Sequence, residues 1–183
     1  FKIIVEETYN RSIRLICNME KPTIAAVNGV AAGAGANIAL ACDFVVAKHS
    51  AKFIQAFANI GLVPDSGGTF WLPRLVGMAR AKALTMLGAP LSSTEAESMG
   101  LIHLAAPEEE FDSEVGRLSQ TLANLPTKGL GMTKKALHAG LTNSLEEQLS
   151  LELELQFQAA ETLDYAEGVA AFLEKRTPKF EGK

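Results

Sequence analysis

Cysteine is scarce in this chain: only Cys17 and Cys42 occur among 183 residues, and they do not form a CxxC pair. Both lie in apolar stretches, which predicts reduced core thiols and a cytoplasmic setting, with a disulfide as the alternative. Histidine is nearly as rare. His49, His103 and His138 stand far apart, so no ligand-spaced pair exists and no metal site is expected. GxSxG is absent, and the glycines of "GVAAGAGANIAL" match neither a P-loop nor a full GxGxxG. An excess of basic residues is lacking too. The net charge of -4 gives no reason to expect nucleic acid or an anionic membrane as partner, so any anionic ligand must be held by local groups. The longest apolar run, "GVAAGAGANIALAC", is rich in Ala and Gly and meets Asp43 directly, which makes it a poor membrane span. No secretory signal, repeat, low-complexity tract or long linker is visible, and the chain opens on Phe1 rather than Met.

What is present is an ordinary globular composition, 48% apolar and 21% charged, on a chain long enough to bury a core without staples. Residues 2–19 carry apolar positions at helical spacing, and Pro22 stops that pattern. "TIAAVNG" and "DFVVAK" read as buried strands, with a turn after Asn28-Gly29 and a helix over Gly35 to Ala41. "AKFIQAFANIG" fits a strand followed by a short turn, and Gly67-Gly68 opens a helix running toward Gly77. Ser92 with Glu95 forms a capping box for a short helix ended by Gly100, and "LIHLAA" reads as a strand. Strands alternating with helices indicate an α/β core. From Glu109 onward only helices are expected: 111–125, Thr133 to Leu141, and Ser144 to Leu163 with a second capping box. Leu145, Leu149, Leu153 and Phe157 form an apolar stripe on the last of these, which suggests docking against another subunit. The change to helix alone near Pro126 divides the chain into 1–125 and 126–183.

Two features could carry chemistry. Gly33-Ala34-Gly35 sits at a strand-to-helix turn, where backbone N–H groups and the helix dipole can hold a developing oxyanion; close packing of helix on strand explains the same glycines. In "GLVPDSGGTF", Asp65 stands between apolar residues. It is either a cap on the helix that follows or a general acid/base whose pKa is raised by its neighbours, or both.

"KPTIAAVNGVAAGAGANIALACDFVVA", "AKF", "GLVPDSGGT" with "LPRLVG", "LSSTEAESMGLIH" and "EGVAAFLEKRTPKF" together resemble the enoyl-CoA hydratase/isomerase (crotonase) superfamily in order and spacing. The resemblance covers essentially the whole chain. It implies a spiral of ββα units with a C-terminal helical region that trimerises, here without the front part of the fold, which carries one oxyanion N–H. Residues 1–125 would then be a partial core and 126–183 the oligomerisation region. The second oxyanion donor maps to the backbone N–H of Ala34. The two glutamates of the hydratase branch fall on Asn37 and Phe57, neither of which can act as acid or base. Asp65 remains, where an isomerase branch also places an aspartate. The chain is most similar to the epoxyphenylacetyl-CoA isomerases of phenylacetate catabolism, with Δ3,Δ2-enoyl-CoA isomerases or hydratase-like enzymes of fatty acid oxidation as the alternative. A silent acyl-CoA-binding subunit is the alternative of another class. Phe57, Phe70 and Trp71 are candidates for an acyl pocket, or core residues. The resemblance also brings Gly33, Gly35, Phe172 and Lys175 to the substrate, the last two reaching a neighbouring subunit's CoA. For these two, helix packing and a solvated lysine are the alternative. The implied partners are an acyl-CoA thioester and further copies of the chain, as a homotrimer or a dimer of trimers. No cofactor is implied beyond coenzyme A as part of the substrate.

Overall fold

Alternation of short β-branched runs with Ala- and Gly-rich segments builds two small sheets joined through helices. The computed structural model describes residues 2–183. By its internal contacts the chain falls into two compact units, one holding Thr23–Gly116 with the N-terminal helix through Cys17, the other Asn18–Pro22 with Arg117–Lys183.

In the first unit, β1 (Ile24–Val27) pairs in parallel with β3 (Phe44–Lys48), which pairs in parallel with β6 (Leu104–Ala106). The register sets Ile24 against Phe44 and Val46 against Leu104. A second sheet sets β2 (Val30–Ala32) parallel to β4 (Lys52–Ile54), with β5 (Leu91–Ser92) antiparallel on its far side. Each consecutive strand pair therefore gives one strand to each sheet. A helix follows each of the first two pairs, α3 (Ala34–Ala41) after β2 and α4 (Gly68–Leu87) after β4, which makes two ββα units in succession. Short α5 (Ser93–Ser98) links β5 to β6 and begins with the expected capping box of Ser92 and Glu95. Alanines let the layers approach closely: Ala36, Ala39, Ala47, Ala51, Ala96 and Ala105 pack with Leu40, Phe53 and Leu72 in one core. The N-terminal segment is helical throughout, α1 (Lys2–Ile4), a wider π turn over Val5–Asn10, and α2 (Arg11–Asn18).

The elements of the second unit are helices, the end of α6 (Phe111–Ala123), then α7 (Thr127–Gly140), α8 (Leu145–Ala160) and α9 (Leu163–Glu174), followed by a non-helical tail. Its tail is fastened by two acids. Asp164, buried, accepts from the N–H groups of Glu181 at 2.7 Å and Gly182 at 2.9 Å. Glu167 takes two hydrogen bonds from the Arg176 guanidinium, at 2.6 and 2.8 Å, and one from the Lys179 N–H at 2.7 Å.

Several elements depart from expectation. β2 stands where a turn was expected directly before the glycine loop, because its partner β4 is distant in sequence. β1 is only half-buried rather than buried. α7 starts six residues early. The helix expected over 144–163 stops at Ala160, and a further helix that was not expected follows, because the Thr162 side chain accepts from the Tyr165 N–H and starts α9. Gly77 does interrupt α4, at φ 78° and ψ 161°, but helix resumes beyond it to Leu87.

Candidate functional site

The glycine loop and the aspartate turn meet on α3. Gly33 precedes that helix with φ 53°, a conformation that favours glycine, and its N–H donates to the Ile54 carbonyl at 2.8 Å, tying the loop to the end of β4. The Asn37 N–H donates to the Gly33 carbonyl at 3.2 Å and closes the first turn. Ala34 is the first residue of α3, so its N–H belongs to the group of helix-start donors that no helical carbonyl can satisfy. Gly35, next to it, is exposed. The helix therefore presents backbone N–H groups at its positive end, the arrangement an oxyanion requires.

Phe57 lies under this loop. A Cβ at Gly33 would sit 3.5 Å from the Phe57 ring, and the ring is buried. At the position where the resemblance implied a hydratase acid, the side chain is an apolar support for the glycine loop.

Asp65 occupies an irregular stretch followed by two left-handed residues, Ser66 (φ 51°) and Gly67 (φ 78°). Ser66 is fully buried despite a backbone conformation uncommon for a residue with a side chain. Its hydroxyl donates to Asp65 Oδ1 at 3.0 Å. The expected helix cap is not what Asp65 does: Gly67 holds the cap position with no side-chain hydrogen bond, and it is the Asp65 carbonyl that accepts the Gly68 N–H at 2.9 Å. The carboxylate is thus left outside the helix start. Nor is the neighbourhood closed over, since Asp65 is half-buried and Ile60, Leu62 and Val63 are exposed.

Asn37 joins the two turns. Wholly buried, it donates from Nδ2 to the Asp65 carbonyl at 2.9 Å and accepts at Oδ1 from Gln55 Nε2 at 2.8 Å. Gln55 was not among the expected site residues. No local signal marks it, because Gln55 lies between the end of β4 and the 3-10 turn Ala56–Ile60, where strand alternation does not hold.

The remaining candidates are placed as follows. Trp71 is half-buried beside Gly67, where an added Cβ would fall 2.9 Å from the indole Nε1. Phe70 meets it edge to face at 4.7 Å, with the Arg74 guanidinium 3.7 Å above the Phe70 ring. In the second unit, Phe172 is 82% exposed, and Lys175 ends α9 in a left-handed conformation, φ 55°. Among the described residues no cluster of His, Cys, Asp and Glu could hold a metal ion, and no helix is long and apolar enough to cross a membrane.

Comparison with known proteins converges on one family. The model of the enoyl-CoA hydratase/isomerase family matches residues 1–183. The chain is 48% identical to the 1,2-epoxyphenylacetyl-CoA isomerase of Escherichia coli K12, over 98% of this chain and 68% of that protein. It is equally, 48%, identical to a Rhodobacter capsulatus protein named "probable enoyl-CoA hydratase", over 98% of this chain and 70% of that one. The crystal structure of an enoyl-CoA hydratase from Polaromonas superimposes with a TM-score of 0.91 at 37% identity, covering 97% of this chain and 68% of that one. The chain thus spans about two thirds of the length of these relatives. Its paired three-stranded sheets are the crotonase-type spiral of ββα units, and the chain belongs to the enoyl-CoA hydratase/isomerase family.

Proposed function

We propose that this protein is an acyl-CoA isomerase in which Asp65 carries a proton between carbons of the acyl group. The observation that supports the reading most is the chemistry of the three positions around the turn. Asn37 has its amide engaged at both ends, Phe57 is a buried ring, and Asp65 alone offers a carboxylate. An amide and a phenyl ring cannot activate water, whereas one carboxylate suffices to remove a proton from one carbon and return it to another.

The thioester oxygen rests on the Ala34 N–H, with a second donor from the part of the family's fold that this chain does not span. When Asp65 takes the proton, the electron pair left on carbon delocalises to that oxygen, where the positive end of α3 stabilises the enolate. Return of the proton at a second carbon regenerates the Asp65 carboxylate and leaves the composition of the substrate unchanged. Ser66, donating to Oδ1, orients the carboxylate.

Identity to the Escherichia coli protein favours 2-(1,2-epoxy-1,2-dihydrophenyl)acetyl-CoA as substrate. The equal identity to a protein bearing a hydratase name keeps Δ3,Δ2-enoyl-CoA isomerisation as the second reading. Trp71 beside Gly67 and Phe70, which meets it edge to face, are assigned to the acyl side, and Phe172 and Lys175 to the coenzyme A of a neighbouring copy. Turnover of the ring epoxide against aliphatic enoyl-CoA esters by the full-length protein separates the two substrates. Retention of wild-type isomerase turnover by Asp65→Asn would overturn the assignment of Asp65. Binding of CoA esters by the wild-type protein without any proton exchange would instead indicate a silent subunit.

A further inference from the structure

We infer that Asn37 is a positioning residue that fastens the Asp65 turn to the oxyanion end of α3, so that base and oxyanion donor are held as one piece. The inference rests on the reading of Asp65 as proton carrier. Asn37 and Ala34 lie one turn apart on α3, about 4.5 Å along its axis. From there the Asn37 Nδ2 reaches the Asp65 carbonyl, the same oxygen that accepts the Gly68 N–H. Both donors converge on the peptide that leads into the left-handed pair Ser66-Gly67, a backbone path that persists only when its surroundings hold it.

The amide can work in one orientation only. Its donor end must face the Asp65 carbonyl, so its oxygen faces Gln55, and Gln55 must in turn present Nε2. That leaves the Gln55 Oε1 buried with no hydrogen-bond partner among the described residues, a cost to stability that the chain tolerates at this place. Gln55 follows Ile54, whose carbonyl holds the Gly33 N–H, so two consecutive residues at the end of β4 grip both ends of the α3 first turn. Packing repeats the message. A Cβ on Gly68 would fall 2.6 Å from the Asn37 Cγ, so the amide lies flat on the backbone at the start of α4, in the volume any other side chain would need. Asn37 is therefore more than the absence of a hydratase acid.

The test compares Asn37→Asp, Gln55→Met and Asp65→Asn in the full-length protein. Asn37→Asp keeps the shape but replaces the donor by an oxygen that, when ionised, opposes the Asp65 carbonyl. When protonated it can donate again. We expect kcat for Asn37→Asp to fall about 10- to 100-fold at pH 8 with little change in KM, the scale expected when a reacting group is misplaced by about an ångström. The ratio of variant to wild-type kcat should recover as pH falls and the new acid takes up its proton. Amide hydrogen exchange at Gly68 should quicken in Asn37→Asp and, less, in Gln55→Met, while exchange in the β1 and β3 core stays as in wild type. Asp65→Asn keeps the backbone carbonyl, so it should lower turnover by about 10²- to 10⁴-fold yet leave Gly68 exchange unchanged. If Asn37→Asp does not fold, the Gln55→Met exchange at Gly68 decides. Wild-type kcat in Asn37→Asp across the pH range, or unchanged Gly68 exchange in both relay variants, overturns the inference. Turnover retained by Asp65→Asn overturns the underlying reading of the site instead.

Discussion

Helices α3 and α8 are built on opposite plans. α3 is eight residues long and buries Ala36, Asn37, Ala39, Leu40 and Ala41, small apolar groups around one amide. α8 is twice that length and buries only Leu155, while Leu145, Leu149, Leu153 and Phe157 stay exposed along one stripe. The small residues of α3 let backbone approach backbone, and only such closeness allows a side chain as short as Asn37 to bond the main chain of a distant turn. The large residues of the α8 stripe stay uncovered among the described residues. A contiguous apolar stripe in the open marks a contact surface, and a second copy of the chain is the occupant we propose.

This contrast can be broken from either end. The largest effect should come from Asp65→Asn, where loss of the proton carrier lowers turnover by about 10²- to 10⁴-fold while sedimentation shows the same assembly as wild type. Next, Leu149→Glu combined with Leu153→Glu should reduce the sedimenting mass to that of a smaller species, because like charges would be set on the stripe. Secondary structure by circular dichroism should be retained. An unchanged mass would show that the α8 stripe is not the contact. Gly68→Ala comes third. Its Cβ overlaps Asn37, so destabilisation of about 1–3 kcal/mol in denaturant titration is expected. The smallest effect belongs to the tail. Hydrogen bonds from Arg176, and then from the Lys179 N–H, hold the Glu167 carboxyl down from its ordinary 4.5 to about 2. Because the folded value is lowered, the stabilisation is fully present above pH 4.5 and is lost as pH falls toward 2. The difference in melting temperature between wild type and Glu167→Gln should therefore be constant near neutrality and shrink through that window.

Local signals were the readable ones. Both capping boxes, Ser92 with Glu95 and Ser144 with Glu147, are present because each is complete within four residues. The break at Gly77 and the strands β1 and β3 followed from residue type in the same way. Strand β2 was not readable, since three residues become a strand only when β4 arrives to pair with them. At the site, the glycine loop and Asp65 stood out by composition, but the cap reading of Asp65 failed. Ser66 and Gly67 turn the chain so that a carbonyl, not the carboxylate, meets the helix start. Asn37 and Gln55 were opaque for a related reason. Each is an ordinary amide until the fold brings its partner close, Asp65 to Asn37 across 28 positions at 2.9 Å and Asn37 to Gln55 across 18 at 2.8 Å.

In the proposed reaction Asp65 exchanges a proton with the acyl carbons of a CoA ester. Incubating the full-length protein in deuterium oxide with phenylacetyl-CoA and aliphatic enoyl-CoA esters, and following deuterium by mass spectrometry, tests it directly. Incorporation at an acyl carbon with wild-type protein, and its loss with Asp65→Asn, is the predicted result. Incorporation at the wild-type rate in Asp65→Asn would rule out Asp65 as the proton carrier.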